Sequence, residues 1–182
     1  MNNNLNLEKL KFPIGKFQKP EFISQKDLET WIATIEIFPS KIKQLTTACS
    51  EKELNWIYRP NGWSIKQVVH HCADSHINSF VRFKLALTEN IPIIKPYEEA
   101  KWAELADGKS AIILPSIQII EGVHLRWVLL LKSCGEKELK RQFIHPENNK
   151  TISLEETIGL YAWHCNHHLA HIEQAILYKG EF

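Results

Sequence analysis

The groups able to do chemistry crowd into one stretch, YAWHCNHHLAHIEQ, residues 161–174, which holds His164, His167, His168 and His171, four of the nine histidines. Histidine is a modest helix former, so four in eight residues is not how an ordinary helix is built. Leu154, Ile158, Tyr161, Ala162, Cys165, Leu169, Ile172 and Ile176 recur at spacings of three and four and mark a buried helical stripe. His164, His168 and His171 run beside that stripe, one residue earlier in phase, at the edge of the core. His164 and His168 are four apart and project from one face, one turn apart. Two imidazoles so placed can ligate one metal ion. His167 and His171 share the spacing, so spacing alone leaves the register open. The plainer alternative is a set of half-buried histidines hydrogen-bonded to backbone or water.

A second stretch bears on the choice. WSIKQVVHHCADSHINSFVRFKLALTE, residues 63–89, has a core stripe of Ile65, Val69, Cys72, His76, Phe80, Phe83 and Leu87. Beside it runs a polar row of Gln67, His71, Asp74, Ser75, Asn78 and Arg82, lacking the lysines and glutamates that normally cover a solvated face. It reads as the wall of a polar cavity. His71 is the candidate third ligand, provided this helix and the last one are neighbours. Arg82 is the best anion anchor on the row, with Asn78 one turn before it. Asp74 lies on the same side, but no spacing singles it out as a general base. Cys72 and Cys165 fall on core stripes and read as small buried groups. His76 reads as a satisfied core histidine, and His70, His167 and His171 as supporting or surface groups. His124 and His145 have no partner spacing and read as structural.

These residues need helices to position them. SQKDLETWIATIEIFPSKIKQLTTACS supports a first long helix over residues 24–48, with a kink or break at Pro39. SIKQ at Ser64 and SLEE at Ser153 both match the capping box and open helices over residues 64–88 and 153–178, the latter stopped by Gly180. Another helix runs through IQIIEGVHLRWVLLLKS to Ser133. Between the second and third lies a long connection with a helical turn near residues 98–105. RQFIHPENNKTIS before the last helix reads as an extended excursion with an Asn-rich turn. The expectation is an all-α fold: a four-helix bundle with one long crossover, in a single domain spanning residues 1–182, with residues 1–22 as an irregular leader.

Composition narrows the function classes. The net charge is +1, from 22 basic and 21 acidic residues, which gives no electrostatic reason to expect nucleic acid or an anionic membrane. The opening MNNNLNLEKLKF has no basic segment followed by an apolar core, so no signal peptide is expected. The runs AIILPSIQII and RWVLLLK are each too short or too interrupted to span a bilayer. Four cysteines without a CxxC pair fit reduced thiols and a cytoplasmic setting.

GWSIKQVVHHCADSHINSFVRFKLALTE together with YAWHCNHHLAHI resembles the DinB-like superfamily, in its YfiT-like branch of metal-dependent hydrolases and bacillithiol transferases. The likeness extends from FPIGKF through PYEEAKWAEL, LRWVLLLKS and FIHPENNKTISL, most of the chain. It implies a four-helix bundle with a long crossover, and one divalent ion held by His71, His164 and His168. It further implies a homodimer, and a substrate groove that Trp102 and Trp163 could line. Three neutral imidazoles leave a coordination position open, unlike the four protein ligands of a structural zinc site. Zinc is the expected ion and nickel the alternative. Such an ion lowers the pKa of a water and deprotonates a thiol. Two chemistries share these ligands, transfer of a low-molecular-weight thiol to an electrophile and hydrolysis. With no general base singled out, the balance leans towards thiol transfer. The expected partners are a small thiol or an electrophilic substrate. The rival is a non-catalytic metal-binding bundle, which requires a closed coordination shell.

Overall fold

The computed structural model describes residues 6–147 and 149–182. In chain order the elements are α1 (Leu7–Lys11), α2 (Gln25–Thr46), α3 (Glu51–Leu54), α4 (Ile65–Thr88), α5 (Glu99–Trp102), α6 (Leu114–Ser133), α7 (Glu136–Leu139), β1 (Gln142–His145), β2 (Lys150–Ser153) and α8 (Leu154–Tyr178). The four long helices α2, α4, α6 and α8 form the bundle. Each apolar stripe needs neighbours, because a lone amphipathic helix cannot bury its own face. Here α2 packs on α6 and α8, and α4 also packs on α6 and α8, so α4 and α8 are adjacent. Ile35, Phe38, Phe83, Trp127 and Ile158 are among the fully buried side chains at the centre.

Local chemistry sets the helix ends. Ser24 and Asp27 form a full capping box at α2, and Gln67 accepts from the backbone N–H of Ser64 at 3.0 Å to start α4. At α8 only half the expected box forms. Ser153 Oγ accepts from Glu156 N–H at 3.2 Å, but the Glu156 carboxylate is taken by Lys19 Nζ at 2.7 Å. Arg141 donates to the carbonyls of Ala86 and Glu89 and so satisfies the C-terminal end of α4. Lys179, at φ 52°, caps the C-terminal end of α8, and Gly180 follows at φ +71°.

Four readings are sharpened or corrected. The α2 helix runs through Pro39 without a break. The leader contains a helical turn, α1, because the Asn6 side chain accepts from the N–H groups of Glu8 and Lys9; residues 1–5 lie outside the described set. The excursion before α8 is an antiparallel hairpin, with Gln142 opposite Ser153 and His145 opposite Lys150. Asn148 of its turn lies outside the described residues, and Asn149 takes φ 47°. Finally, the two apolar runs join in α6, since Pro115 stands in its first turn, where its missing N–H costs nothing. By length and composition alone that helix could cross a membrane. In this fold one of its faces, carrying Ile117, Ile120, His124, Trp127 and Leu131, is buried against α2 and α4.

The crossover from α4 to α6 is pinned where it matters. Ile94 N–H donates to Ile144 O at 3.1 Å, and Ile144 N–H to Pro92 O at 2.9 Å. That lays the crossover along β1. Gln67 Nε2 holds it again at Ala103 O, 3.0 Å away. The intervening segment around Tyr97 and Glu99 is therefore fixed over the seam between α4 and α8.

Candidate metal centre

Adjacency of α4 and α8 brings His71, His164 and His168 together, with one ring nitrogen from each lying within 4.8 Å of the others. His71 and His168 are buried and His164 half-buried. His71 Nε2 stands 3.3 Å from His164 Nε2. Two imidazoles on one tetrahedral zinc, each at about 2.05 Å, would hold their nitrogens about 3.3 Å apart, so the donor pair fits such an ion. Among the described residues no thiol or carboxylate joins the three. Burial among other imidazoles keeps all three rings neutral, with lone pairs free for a ligand role. The His71 pKa falls to about 4, first through loss of solvent and then through His167. Those of His164 and His168 fall well below the usual value for the same first reason.

The other two histidines of the cluster do different work. His171 Nε2–H donates to the Lys11 carbonyl at 3.0 Å, and its ring stacks on Tyr58 with centroids 3.7 Å apart. His167 stacks on Trp163 at 4.4 Å, and Trp163 Nε1–H donates to Gly15 O at 3.0 Å. These residues strap the leader to α8. Four histidines in eight residues thus serve two faces: one pair converges with His71, the other holds residues 11–15. His70 ties α4 to Ser116 Oγ and Ser110 O at 2.8 and 2.9 Å.

Behind His164 runs a line of imidazoles. His164 Nδ1 is 3.1 Å from His76 Nε2, His76 Nδ1 is 2.7 Å from His124 Nε2, and His124 Nδ1 is 2.7 Å from the Ile35 carbonyl. His76 and His124 are both fully buried. His124 read as structural because its partner lies 48 residues away, beyond any local spacing.

A cavity of about 530 Å³ reaches His164, lined also by Ser75, Arg82, Tyr97, Glu99, His145, Glu147 and Tyr161. The polar row therefore splits. Arg82 and Ser75 line the cavity. Gln67 serves the helix cap and the crossover, and Asn78 is not among the lining residues, its amide donating to Asp74 O at 2.8 Å. Arg82 is half-buried, and its Nε has no protein partner. Tyr161 meets Ser75 Oγ and Ser75 O at 3.2 Å each. Glu99 is open to solvent over much of its surface, yet its carboxyl is held above the usual range, first by loss of solvent and then by Glu147. The half-buried Asp74 carboxyl is also raised, by burial and by Asp107, but it is not among the lining residues. Glu99, Glu147 and Tyr97 escaped sequence reasoning because they come from the crossover and the hairpin turn, where no periodicity points at a site. The Trp102 ring packs at a 47° tilt on Tyr97, centroids 4.5 Å apart, while Trp163 faces the leader. Cys72 and Cys165 are buried in the core, their thiols pushed up by burial.

Fold and site together define a four-helix bundle in which three imidazoles from two neighbouring helices converge, one of them, His164, on the wall of a cavity. The sequence model of the DinB superfamily matches residues 34–172. The chain is 44% identical over 165 residues to a Bacillus subtilis protein named "Putative metal-dependent hydrolase YfiT", covering 91% of this chain and 93% of that one. A Halalkalibacterium halodurans relative of the same description is 44% identical, covering 92% and 96%. The solved structure of YfiT, described as "a probable metal-dependent hydrolase with an unusual four-helix bundle topology", superposes with a TM-score of 0.91 at 42% identity, covering 94% of this chain and 98% of that one. The chain belongs to the DinB superfamily.

Proposed function

We propose that this chain is a metal-dependent enzyme, and that hydrolysis is the reaction its site supports best. One observation carries the reading: three neutral imidazoles converge beside a cavity, and among the described residues no fourth protein donor closes the set. His71, His164 and His168 would hold one divalent ion, zinc first and nickel as the alternative. When bound, the ion supplies the charge that makes a water or thiol at its open position a nucleophile near neutral pH. Glu99, on the wall of the cavity that reaches His164, would accept the proton of such a nucleophile. Its raised carboxyl suits that work better than an ordinary surface glutamate. Arg82, with its unpartnered Nε, binds an anionic part of the substrate. Tyr161, held by Ser75, shapes the wall beside His164.

Thiol transfer is the second reading. Three uncharged ligands leave the ion's full charge uncompensated, which favours an anionic thiolate. Glu99 now supplies the base whose absence from the sequence reading tilted the balance towards it. The remaining assignments belong to the same proposal. A homodimer is supported by Leu125 and Leu129, 69% and 65% exposed on α6. A cytoplasmic setting is supported by four free cysteines. No nucleic-acid or membrane partner is assigned, in keeping with a net charge of +1.

The test is a panel of esters and amides offered to the zinc-loaded protein, with and without small thiols. Thiol-independent cleavage that falls about 10²–10⁴-fold in Glu99→Gln, with zinc retained, supports hydrolysis. Turnover that requires the thiol replaces that reading with transfer. A coordination shell closed by a fourth protein ligand, with neither activity, returns the non-catalytic bundle.

A further inference from the structure

A helical carbonyl at position 35 ordinarily accepts from the N–H of residue 39. Residue 39 is Pro39, which has none, so the Ile35 carbonyl is left without its intrahelical donor deep in the bundle. His124 Nδ1 stands 2.7 Å from that oxygen. A carbonyl only accepts, so the proton must be on Nδ1 of His124. A neutral imidazole carries one proton, which leaves His124 Nε2 bare and able only to accept. It faces His76 Nδ1 at 2.7 Å, so His76 is protonated there and bare at Nε2. His76 Nε2 faces His164 Nδ1 at 3.1 Å, so His164 too carries its proton on Nδ1. The count closes: three hydrogen bonds, three rings, one proton each. The bare atom at the end is His164 Nε2, the nitrogen that faces His71 Nε2 at 3.3 Å.

We propose that Pro39, His124 and His76 are positioning residues that set the tautomer of His164, so that its Nε2 lone pair is presented to the metal before the metal arrives. The proposal rests on the reading of His71, His164 and His168 as the metal site. The line crosses all four long helices: Pro39 and Ile35 on α2, His124 on α6, His76 on α4 and His164 on α8. His76 and His124 are fully buried, so solvent does not supply a competing donor or acceptor along the line. Pro39 supplies the polarity. With an N–H at residue 39 the Ile35 carbonyl would have a second donor, and its hold on the His124 Nδ1 proton would be weaker. The general rule is that a ligating histidine has its other nitrogen held by a hydrogen-bond partner. Here that partner is a chain of two further histidines, oriented by one proline.

The test uses the metal-free protein with ¹⁵N-labelled histidine, and long-range ¹H–¹⁵N spectra that report which ring nitrogen carries the proton. His164, His76 and His124 are expected in the Nδ1–H form. His124→Leu removes the acceptor for His76 and should return His164 to a mixture containing the Nε2–H form. The zinc affinity of that variant should fall about 10–100-fold. His124→Gln, which can donate to Ile35 and accept from His76, should restore most of both. Pro39→Ala should loosen the tautomers in the same direction, by less. An Nε2–H His164 in the native protein overturns the proposal, as does a His124→Leu variant with unchanged His164 tautomer and unchanged zinc affinity. The native spectrum decides even where a variant fails to fold. If the native protein shows Nδ1–H at all three rings but binds no zinc, the metal reading fails while the tautomer chain stands.

Discussion

His168→Ala and His171→Ala should fail in opposite ways. Both residues are buried, three apart on α8, and spacing alone let either belong to the metal pair. Their contacts differ. His168 converges with His71 and His164, and its Nδ1 has no protein partner. His171 is spent on the Lys11 carbonyl and the Tyr58 ring. A four-ligand zinc site binds with about 10–16 kcal/mol, so one ligand is worth about 2.5–4 kcal/mol, or two to three orders of magnitude in affinity. Deleting His168 should cost that much zinc affinity, while the metal-free fold loses less than in His171→Ala: each deletion leaves a void and sheds an unpartnered Nδ1, but His171 also gives up a hydrogen bond and a ring stack. Deleting His171 should leave zinc affinity within a few-fold. It removes a hydrogen bond worth about 1 kcal/mol and a ring stack worth about 0.5–1.5 kcal/mol, and it leaves a void. A loss of about 2–3 kcal/mol lowers the melting temperature of a chain this size by about 4–12 °C. Competition with a chromophoric chelator reads the first quantity, and thermal unfolding without metal reads the second. Zinc retained in His168→Ala and lost in His171→Ala would refute the register.

Three further outcomes follow from the same contacts. Arg82→Ala should raise KM for an anionic substrate about ten-fold or more and leave zinc content unchanged; steady-state kinetics with elemental analysis checks this, and loss of the metal would contradict it. Gly159→Ala should destabilise by about 1–3 kcal/mol in thermal unfolding, because an added Cβ would sit 2.9 Å from the Trp31 ring where α8 meets α2. The metal-free protein should be acid-labile. His71 and His124 are held at about 4 and His171 at about 3, and His76, His164 and His168 well below the usual value, so these rings stay neutral when folded while their unfolded counterparts gain protons below about pH 6.5. Stability is therefore full above that pH and falls as pH drops, by up to about 1.4 kcal/mol per pH unit for a ring that stays neutral when folded. Denaturant titrations between pH 7 and 5 measure it, and a flat profile would contradict the neutral core.

The bundle was legible because its signals are local and periodic. The stripes of α4 and α8 and the cap residues Ser64 and Ser153 lie within a few residues of what they control. Phase placed His71 on a polar row and left two histidine pairs open on α8; the family resemblance pointed to His164 and His168, and the structure brings those two together with His71. What escaped depends on partners far along the chain. Glu156 completes a capping box by sequence, yet Lys19 takes its carboxylate from 137 residues away. Pro39 read as a defect in α2, because the consequence of its missing N–H lies on α6, 89 residues from Ile35. Glu99 is one of many glutamates until the pairing of residues 92–94 with Ile144 lays the crossover over the seam between α4 and α8.

Burying this many imidazoles is a poor way to stabilise a bundle. Each ring costs desolvation, and the unpartnered Nδ1 atoms of His167, His168 and His171 show that the cost is not fully offset. The arrangement makes sense if rigidity at the site matters more than stability of the empty fold. A metal ion that binds only the folded chain returns stability in proportion to the logarithm of its concentration over its dissociation constant, about 4 kcal/mol at a thousand-fold excess. That is comparable to the cost of a few poorly satisfied buried groups. The same imidazoles that leave the empty bundle sensitive to acid therefore give the loaded one its fixed geometry. Selection for the loaded state would keep His76 and His124 in the core even though leucine at either position would pack with less penalty in the empty protein.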